Sequence, residues 1–247
     1  MKVRLDQLLV ARGLAETREK AQRLIRAGLV YTSHERLDKP GRTVDETIEI
    51  FVKGSDCPYV SRGGLKLEGA LKAFAYDPSG EVALDLGAST GGFTDCLLQH
   101  GAVRVYAIDV GRGQLHERLI RDPRVVSRER THLDLLQPHD FDPRPALAVA
   151  DLSFISLRRA FPVLRRVLQP AGNAILLVKP QFEVGRDKVP SGGVVTDPAE
   201  HHRVLDELTV AAQAEGITVL GTCESPILGG DGNREFFLLG RLPGEAP

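Results

Sequence analysis

The chain has 247 residues, 42% of them hydrophobic and 26% charged, with a net charge of −1. That suits a soluble, well-cored protein of one large domain, or a small domain joined to a larger one. It excludes a globally basic polyanion binder, and the lack of any run of about 18 apolar residues excludes a transmembrane-helix protein. Cys57, Cys96 and Cys223 lie far apart, without Cys-x-x-Cys or Cys/His ligand spacing. No disulfide framework or zinc site is expected, and a reducing, cytoplasmic setting is. The charged stretch after Met1 has no apolar core of signal-peptide type.

Charge is uneven along the chain. Residues 1–42 hold ten Lys/Arg and five Asp/Glu, a local net of +5, which leaves −6 for the remainder. This asymmetry predicts a basic module attached to a more neutral body. Leu5, Leu8 and Leu9 fall at helical spacing, with Gly13 placed to end that helix. Thr17 is a candidate N-cap for a second helix whose apolar face is Ala21, Leu24, Ile25 and Ala27, and Gly28 stands at its C′ position. Strands are predicted over residues 29–32 and 47–52, on either side of the Lys39-Pro40-Gly41 turn. Arg4, Arg12, Arg18, Lys20, Arg23 and Arg26 crowd the helix pair, a stripe that can follow a phosphate backbone. An ordinary solvated helix face would carry the same charges.

The order of Arg4-Leu5-Asp6-Gln7-Leu8-Leu9, then residues 17–30, then Lys39-Pro40-Gly41, resembles the S4 RNA-binding domain. That resemblance implies a compact unit over residues 1–54 that binds structured RNA through its two helices. The family's usual Asn-Gly turn is replaced here by Thr32-Ser33-His34. Residues 55–60 read as a linker, and residues 61–247 as the large domain.

In the large domain, strand-like runs are predicted over residues 82–86, 103–110, 125–126, 146–150, 174–178, 217–222 and 235–239. Helix-like stretches at 92–100, 114–120, 157–168 and 198–214 fall between most of them. The alternation predicts an α/β fold with a parallel sheet covered on both faces, whose ligands sit at the carboxyl ends of the strands. No helix separates the last two strands, so a terminal antiparallel pair is expected at the sheet edge. Seven strands ending in such a pair make the Rossmann-like architecture of class I methyltransferases, not that of dehydrogenases.

The stretch from Val82 to Thr94 reads as a strand, a glycine turn and a helix start. Gly87 permits a tight turn, and Gly91 and Gly92 permit close approach of backbone to a ligand, with Ser89, Thr90 and Phe93 beside them. Asp85 is placed to hold the cationic ammonium of a methionine moiety and would repel a pyrophosphate. Asp109, which precedes Val110, ends the next strand 22 positions after Gly87, where an acid can bind ribose hydroxyls. Ser89 stands where a G-x-G-x-x-G fingerprint has its second glycine. S-adenosylmethionine is therefore the expected cofactor, ahead of a dinucleotide; no metal is expected.

Residues 85–95 (DLGASTGGFTD) together with 106–115 (YAIDVGRGQL) resemble the TlyA family of FtsJ-like rRNA methyltransferases, also known as hemolysins. The resemblance extends over essentially the whole chain. It implies S-adenosylmethionine-dependent 2′-O-methylation of ribosomal RNA, at cytidine, with ribosomal RNA or subunits as partner and no membrane. His132 and Asp134 stand where relatives often carry Asn and Arg; Asp134 could instead accept from the adenine amino group. FtsJ-like enzymes use a Lys-Asp-Lys-Glu tetrad, which the motifs here match at Lys66, Asp151, Lys179 and Glu235. The resemblance implies that Lys179 acts as base or alkoxide stabiliser, oriented by Asp151 and Glu235, and that Lys66 positions the ribose or its phosphate. Asp151 also borders the cofactor pocket. Residues 180–197, with Gly185, Gly192 and Gly193 among Arg186, Lys188 and Pro190, are expected to form a mobile substrate loop. Two other readings compete: a catalytically silent ribosome-assembly factor, and a membrane-lytic hemolysin.

Overall fold

The computed structural model describes residues 2–12, 14–15, 17–32, 35–52, 57–185, 189–190, 192–229 and 232–244. The expected helix end at Gly13, the turn at Ser33-His34, residues 55 and 56 of the linker, and Arg186 and Lys188 lie outside them. The chain divides into two compact units, Met1–Pro58 and Tyr59–Pro247. Tyr59 and Val60, read as linker from sequence, belong to the second. Tyr59 is buried, and Val60 N donates to Asp95 Oδ2 at 2.8 Å.

The first unit runs β1 (Lys2–Arg4), α1 (Leu5–Ala11), α2 (Arg18–Arg26), β2 (Val30–Tyr31), β3 (Thr43–Asp45) and β4 (Phe51–Val52). Thr17 caps α2 as its sequence position suggests, accepting from Lys20 N at 3.1 Å. Ala21 and Ile25, one turn apart, turn inward to a core with Leu5, Leu8, Leu9, Val30 and Leu37. Each fully buried Leu, Ile or Val side chain there contributes about 1.5–3 kcal/mol. Strands β1 and β3 pair antiparallel, as do β2 and β4.

The second unit runs α3 (Gly63–Ala73), β5 (Val82–Leu86), α4 (Gly92–Gln99), β6 (Arg104–Ile108), α5 (Glu117–Ile120), β7 (Val125–Arg128), β8 (Leu147–Ala150), α6 (Ala160–Val167), β9 (Asn173–Val178), α7 (Pro180–Glu183), α8 (Pro198–Ala214), β10 (Thr218–Glu224) and β11 (Phe236–Arg241). The seven strands form one sheet in the order β10-β11-β9-β8-β5-β6-β7. β5, β6, β7, β8 and β9 pair in parallel; β11 runs antiparallel to β9, and β10 to β11. The central strands are apolar and buried on both faces, as parallel strands covered by helices must be. On α6, Ala160, Phe161, Val163, Leu164 and Val167 follow helical spacing and all face the core.

β5 is flanked by β6 on one side and β8 on the other, so the chain reverses direction across the sheet there. A crevice opens at such a switch point, beyond the carboxyl ends of the strands. α3 packs against the start of α4 through a glycine contact. A Cβ on Gly92 would stand 2.2 Å from Ser61 Oγ and 2.9 Å from Gly64 N. That contact sets α3, which carries Lys66, against the turn that follows β5.

Candidate active site

Asp85 sits one residue before the end of β5 and is fully buried. Its Oδ2 accepts from Thr94 Oγ1 at 2.6 Å, whereas Oδ1 has no partner among the described residues. Burial pushes its carboxyl up to about 7; the Thr94 hydroxyl opposes the shift, and the charges of Asp151 and Asp109 add to it. A buried, half-satisfied carboxylate is costly unless a cation meets it.

The turn after Asp85 brings two strands together. Gly87 has φ +82°, and a Cβ there would lie 2.6 Å from the Asp151 carbonyl oxygen. Gly91, at φ +96°, precedes α4, whose first amides have no side-chain cap. Phe93 turns inward, its ring 6.1 Å from that of Phe237, and so supports the turn from below. Ser89 is exposed, and its N donates to Asp109 Oδ2 at 2.8 Å. Asp109 Oδ1 accepts from Gly111 N at 2.7 Å. Asp109 and Val110 lie beyond β6, not inside a strand reaching residue 110. Ser89, Asp109, Gly111, Gln114, Ser127 and Glu129 line a cleft beside the turn. Gln114 lies in the stretch 106–115 without an assigned role from sequence, and Ser127 and Glu129 fall at the end of β7, which no motif marks. Thr90 is half-buried and Val110 exposed at the loop surfaces. Asp134 is not among the residues lining this cleft, and its carboxylate is ion-paired with Arg159.

Across the carboxyl ends of β8, β9 and the start of β11 stand the four tetrad positions. Asp151 directly follows β8, and its N donates to Leu86 O at 3.0 Å. Lys179 directly follows β9. Phe236 pairs with Val178, so Glu235 and Lys179 are adjacent in the ladder's continuation. Lys179 Nζ lies 2.5 Å from Asp151 Oδ1, an ion pair without the alignment of a hydrogen bond, and donates to Ser153 Oγ at 2.8 Å. The Lys179 side chain is 10% exposed and that of Asp151 25%. Lys66, from α3, meets Glu235 Oε2 at 2.5 Å, with side-chain exposures of 12% and 3%. The tetrad is thus two ion pairs. Glu235 holds Lys66, whereas the sequence reading had it orient Lys179.

Phe154 lies beside Lys179's partners at φ +67° and 88% exposed, its ring 5.2 Å from Phe182. Lys179 Nζ in turn stands 5.8 Å from the Phe182 ring centroid. The sequence reading assigns neither phenylalanine a role, although each lies three residues from a tetrad position, Phe154 after Asp151 and Phe182 after Lys179. Among the described residues no group of three or more His, Cys, Asp or Glu is placed to hold a metal, and no helix is long and apolar enough to cross a membrane.

In the small unit, the candidate RNA-binding residues Arg4, Arg12 and Arg18 are engaged by other groups of the unit. Buried Asp6 accepts from Arg4 and Arg18 at 2.9–3.0 Å and from Gln22 at 2.9 Å. Arg12 donates to the Ile48 and Glu46 carbonyls. Lys20 is half-buried, and Arg23 and Arg26 are exposed on α2.

The FtsJ-like methyltransferase family model matches residues 59–242, and the S4 domain model matches residues 3–50. A Bacillus subtilis protein named for rRNA methyltransferase activity, YqxC, is 53% identical over 99% of this chain and 87% of its own length. The 16S/23S rRNA (cytidine-2′-O)-methyltransferase TlyA of Mycobacterium tuberculosis is 46% identical over 96% of this chain and 89% of its own. A solved structure described as a hemolysin, from Streptococcus thermophilus, superposes with a TM-score of 0.77 at 44% identity, covering 100% of this chain and 90% of that one.

Proposed function

The chain belongs to the FtsJ-like methyltransferase family and carries an S4 domain ahead of its methyltransferase domain, and from that premise we propose that it methylates a ribose 2′-hydroxyl of ribosomal RNA, at cytidine, using S-adenosylmethionine. The observation that carries this reading is the pair of ion pairs, Lys179–Asp151 and Lys66–Glu235, set at the carboxyl ends of the strands beside the Asp85 turn. The relatives named for cytidine-2′-O-methylation supply the nucleoside.

The cleft residues fit the cofactor. The unpartnered Asp85 Oδ1 suits an ammonium group, and the turn beside it is fixed by Gly87 and Gly91, both at positive φ and packed against Asp151 and against Leu115 and Leu119. Asp109 keeps acceptor capacity for ribose hydroxyls beyond its two amide bonds. Asp134 is left out of this reading because Arg159 already occupies it. Bound there, S-adenosylmethionine supplies a methyl carbon made electrophilic by its sulfonium.

The chain's own residues act on the acceptor. A ribose hydroxyl is a poor acid, so its oxygen gains from a fixed positive charge as negative charge develops on it. Lys179, ion-paired with Asp151 and bonded to Ser153, is a held ammonium, and we assign it that stabilising role, with the hydroxyl proton passing to solvent water as the oxygen takes the methyl group. Lys66, steadied by Glu235, offers a second cation to the ribose or its phosphate. The exposed Phe154 face offers a stacking surface to a base turned out of its helix. Arg23 and Arg26 of the small unit supply sequence-independent phosphate contacts.

Incubation of the purified chain with labelled donor and ribosomal subunits or RNA tests the reading. Label in alkali-resistant dinucleotides marks a 2′-O-methyl group and supports it. No incorporation into any subunit or RNA, despite confirmed cofactor binding, defeats it.

A further inference from the structure

Lys179 and Glu183 stand at the two ends of one helical turn, and both reach back to the loop that follows β8. At the near end Lys179 holds Asp151 and Ser153, as described. At the far end Glu183 Oε2 accepts from Ser156 Oγ at 2.7 Å, and Oε1 accepts from Leu157 N at 2.6 Å. Between these anchor points the loop carries Phe154 at φ +67°, against Phe182 of the same turn. A non-glycine residue at positive φ persists only where its surroundings over-determine it. Anchoring at both ends provides that.

We infer that Glu183 is a positioning residue for methyl transfer, latching the loop of Asp151, Ser153 and Phe154 to the turn that carries Lys179. The inference rests on the proposed roles of those three groups and of Lys179. Its own bonds go to Ser156 and Leu157, and it acts through the loop they belong to.

The chemistry of the latch is geometric more than electrostatic. Burial pushes the Glu183 carboxyl above its usual range, against the opposing pull of its two donors. A glutamine offers the Leu157 amide the same acceptor and can donate to Ser156 Oγ, so it preserves both ties. An alanine preserves neither.

The test measures kcat with ribosomal RNA, cofactor Kd by calorimetry and thermal midpoint for wild type, E183A, E183Q and S156A. E183A is expected to lose about 10- to 100-fold in kcat, as small misplacements of reacting groups do. Its cofactor Kd should stay within about twofold, since Asp85 is held by Thr94 and Asp109 by the amides of Ser89 and Gly111, none of them a partner of Glu183. E183Q, which keeps both ties, should recover kcat to within about threefold. If E183A does not fold, S156A, which breaks one of the two ties, should show a several-fold drop in kcat at unchanged cofactor Kd. Full kcat in E183A, or in S156A where E183A does not fold, overturns this inference alone. So does a parallel fall of kcat and cofactor affinity without rescue by E183Q. A wild type that binds cofactor but methylates nothing overturns the functional reading, and the inference with it.

Discussion

Lys66 and Glu235, 169 positions apart in sequence, meet at 2.5 Å with both side chains almost wholly removed from solvent. Removing one partner strands the other charge, which costs about 3–5 kcal/mol in buried pairs. Glu235→Ala is therefore expected to lower the thermal midpoint sharply. The double variant Lys66→Met with Glu235→Leu should recover most of that stability while remaining inactive. Calorimetric scans of the three proteins check this. A fully stable E235A would show that Lys66 finds another partner.

Asp85 gives a pH dependence whose sign is opposite to that of most carboxylates. Its carboxyl is pushed up to about 7 in the fold, against about 3.9 in an unfolded chain. Between those values the folded chain binds more protons, so cofactor-free stability falls as pH rises from about 4 to about 7 and stays lower above. The upper bound is on the order of 4 kcal/mol. Asp85→Asn should raise the thermal midpoint at pH 8 and yet weaken S-adenosylmethionine binding at least tenfold. Wild-type affinity should rise between pH 6 and pH 8, because an ammonium favours the ionised carboxylate. Calorimetric titrations across that range check both points; a flat affinity would argue against the contact.

Asp6 behaves in the ordinary direction. The Arg4 guanidinium beside it, with Arg18 and Gln22, holds its carboxyl well below the usual range despite burial. Its contribution is present above about pH 4, the unfolded value, and is lost as pH falls below that. Asp6→Ala should cost the small unit about 1–3 kcal/mol at pH 7. Faster amide hydrogen exchange in α1 and α2 would register the loss, with α4 and β5 unchanged.

Phe154 presents an aromatic face that nothing in the fold requires to be exposed. Phe154→Ala should reduce kcat/KM for RNA by about 10-fold or more, since stacking on an aromatic ring is worth about 1–3 kcal/mol per base. Cofactor affinity and thermal midpoint should hold. Phe154→Tyr, which keeps the ring, should stay close to wild type. Steady-state kinetics with RNA in excess separates these outcomes.

The sheet was readable because buried parallel strands are near-continuous apolar runs. Residues 82–86 coincide with β5, and Pro198–Ala214 with α8, whose proline and Asp197 cap mark its start. β1 and β3 escaped notice because Lys2-Val3-Arg4 and Thr43-Val44-Asp45 each offer a single inward valine, too short for a period. The tetrad residues were legible as motifs in order, but their pairing was not. Lys66 reaches Glu235 only because α3 brings it to the start of β11. Ser153 and Glu183 lie close to Asp151 and Lys179 in sequence, yet their partners are set by how the loop after β8 meets α7. The same holds for Arg4 and Arg18: their charge is visible in sequence, and the buried Asp6 that engages it is fixed by the crossing of two helices.

The most direct test of the account is single-turnover methyl transfer by Lys179→Met with labelled donor already bound. The account predicts donor affinity within about threefold of wild type and transfer to the ribose 2′-oxygen slowed by about 100-fold or more, as loss of one charge-stabilising donor implies. Transfer at the wild-type rate would contradict it.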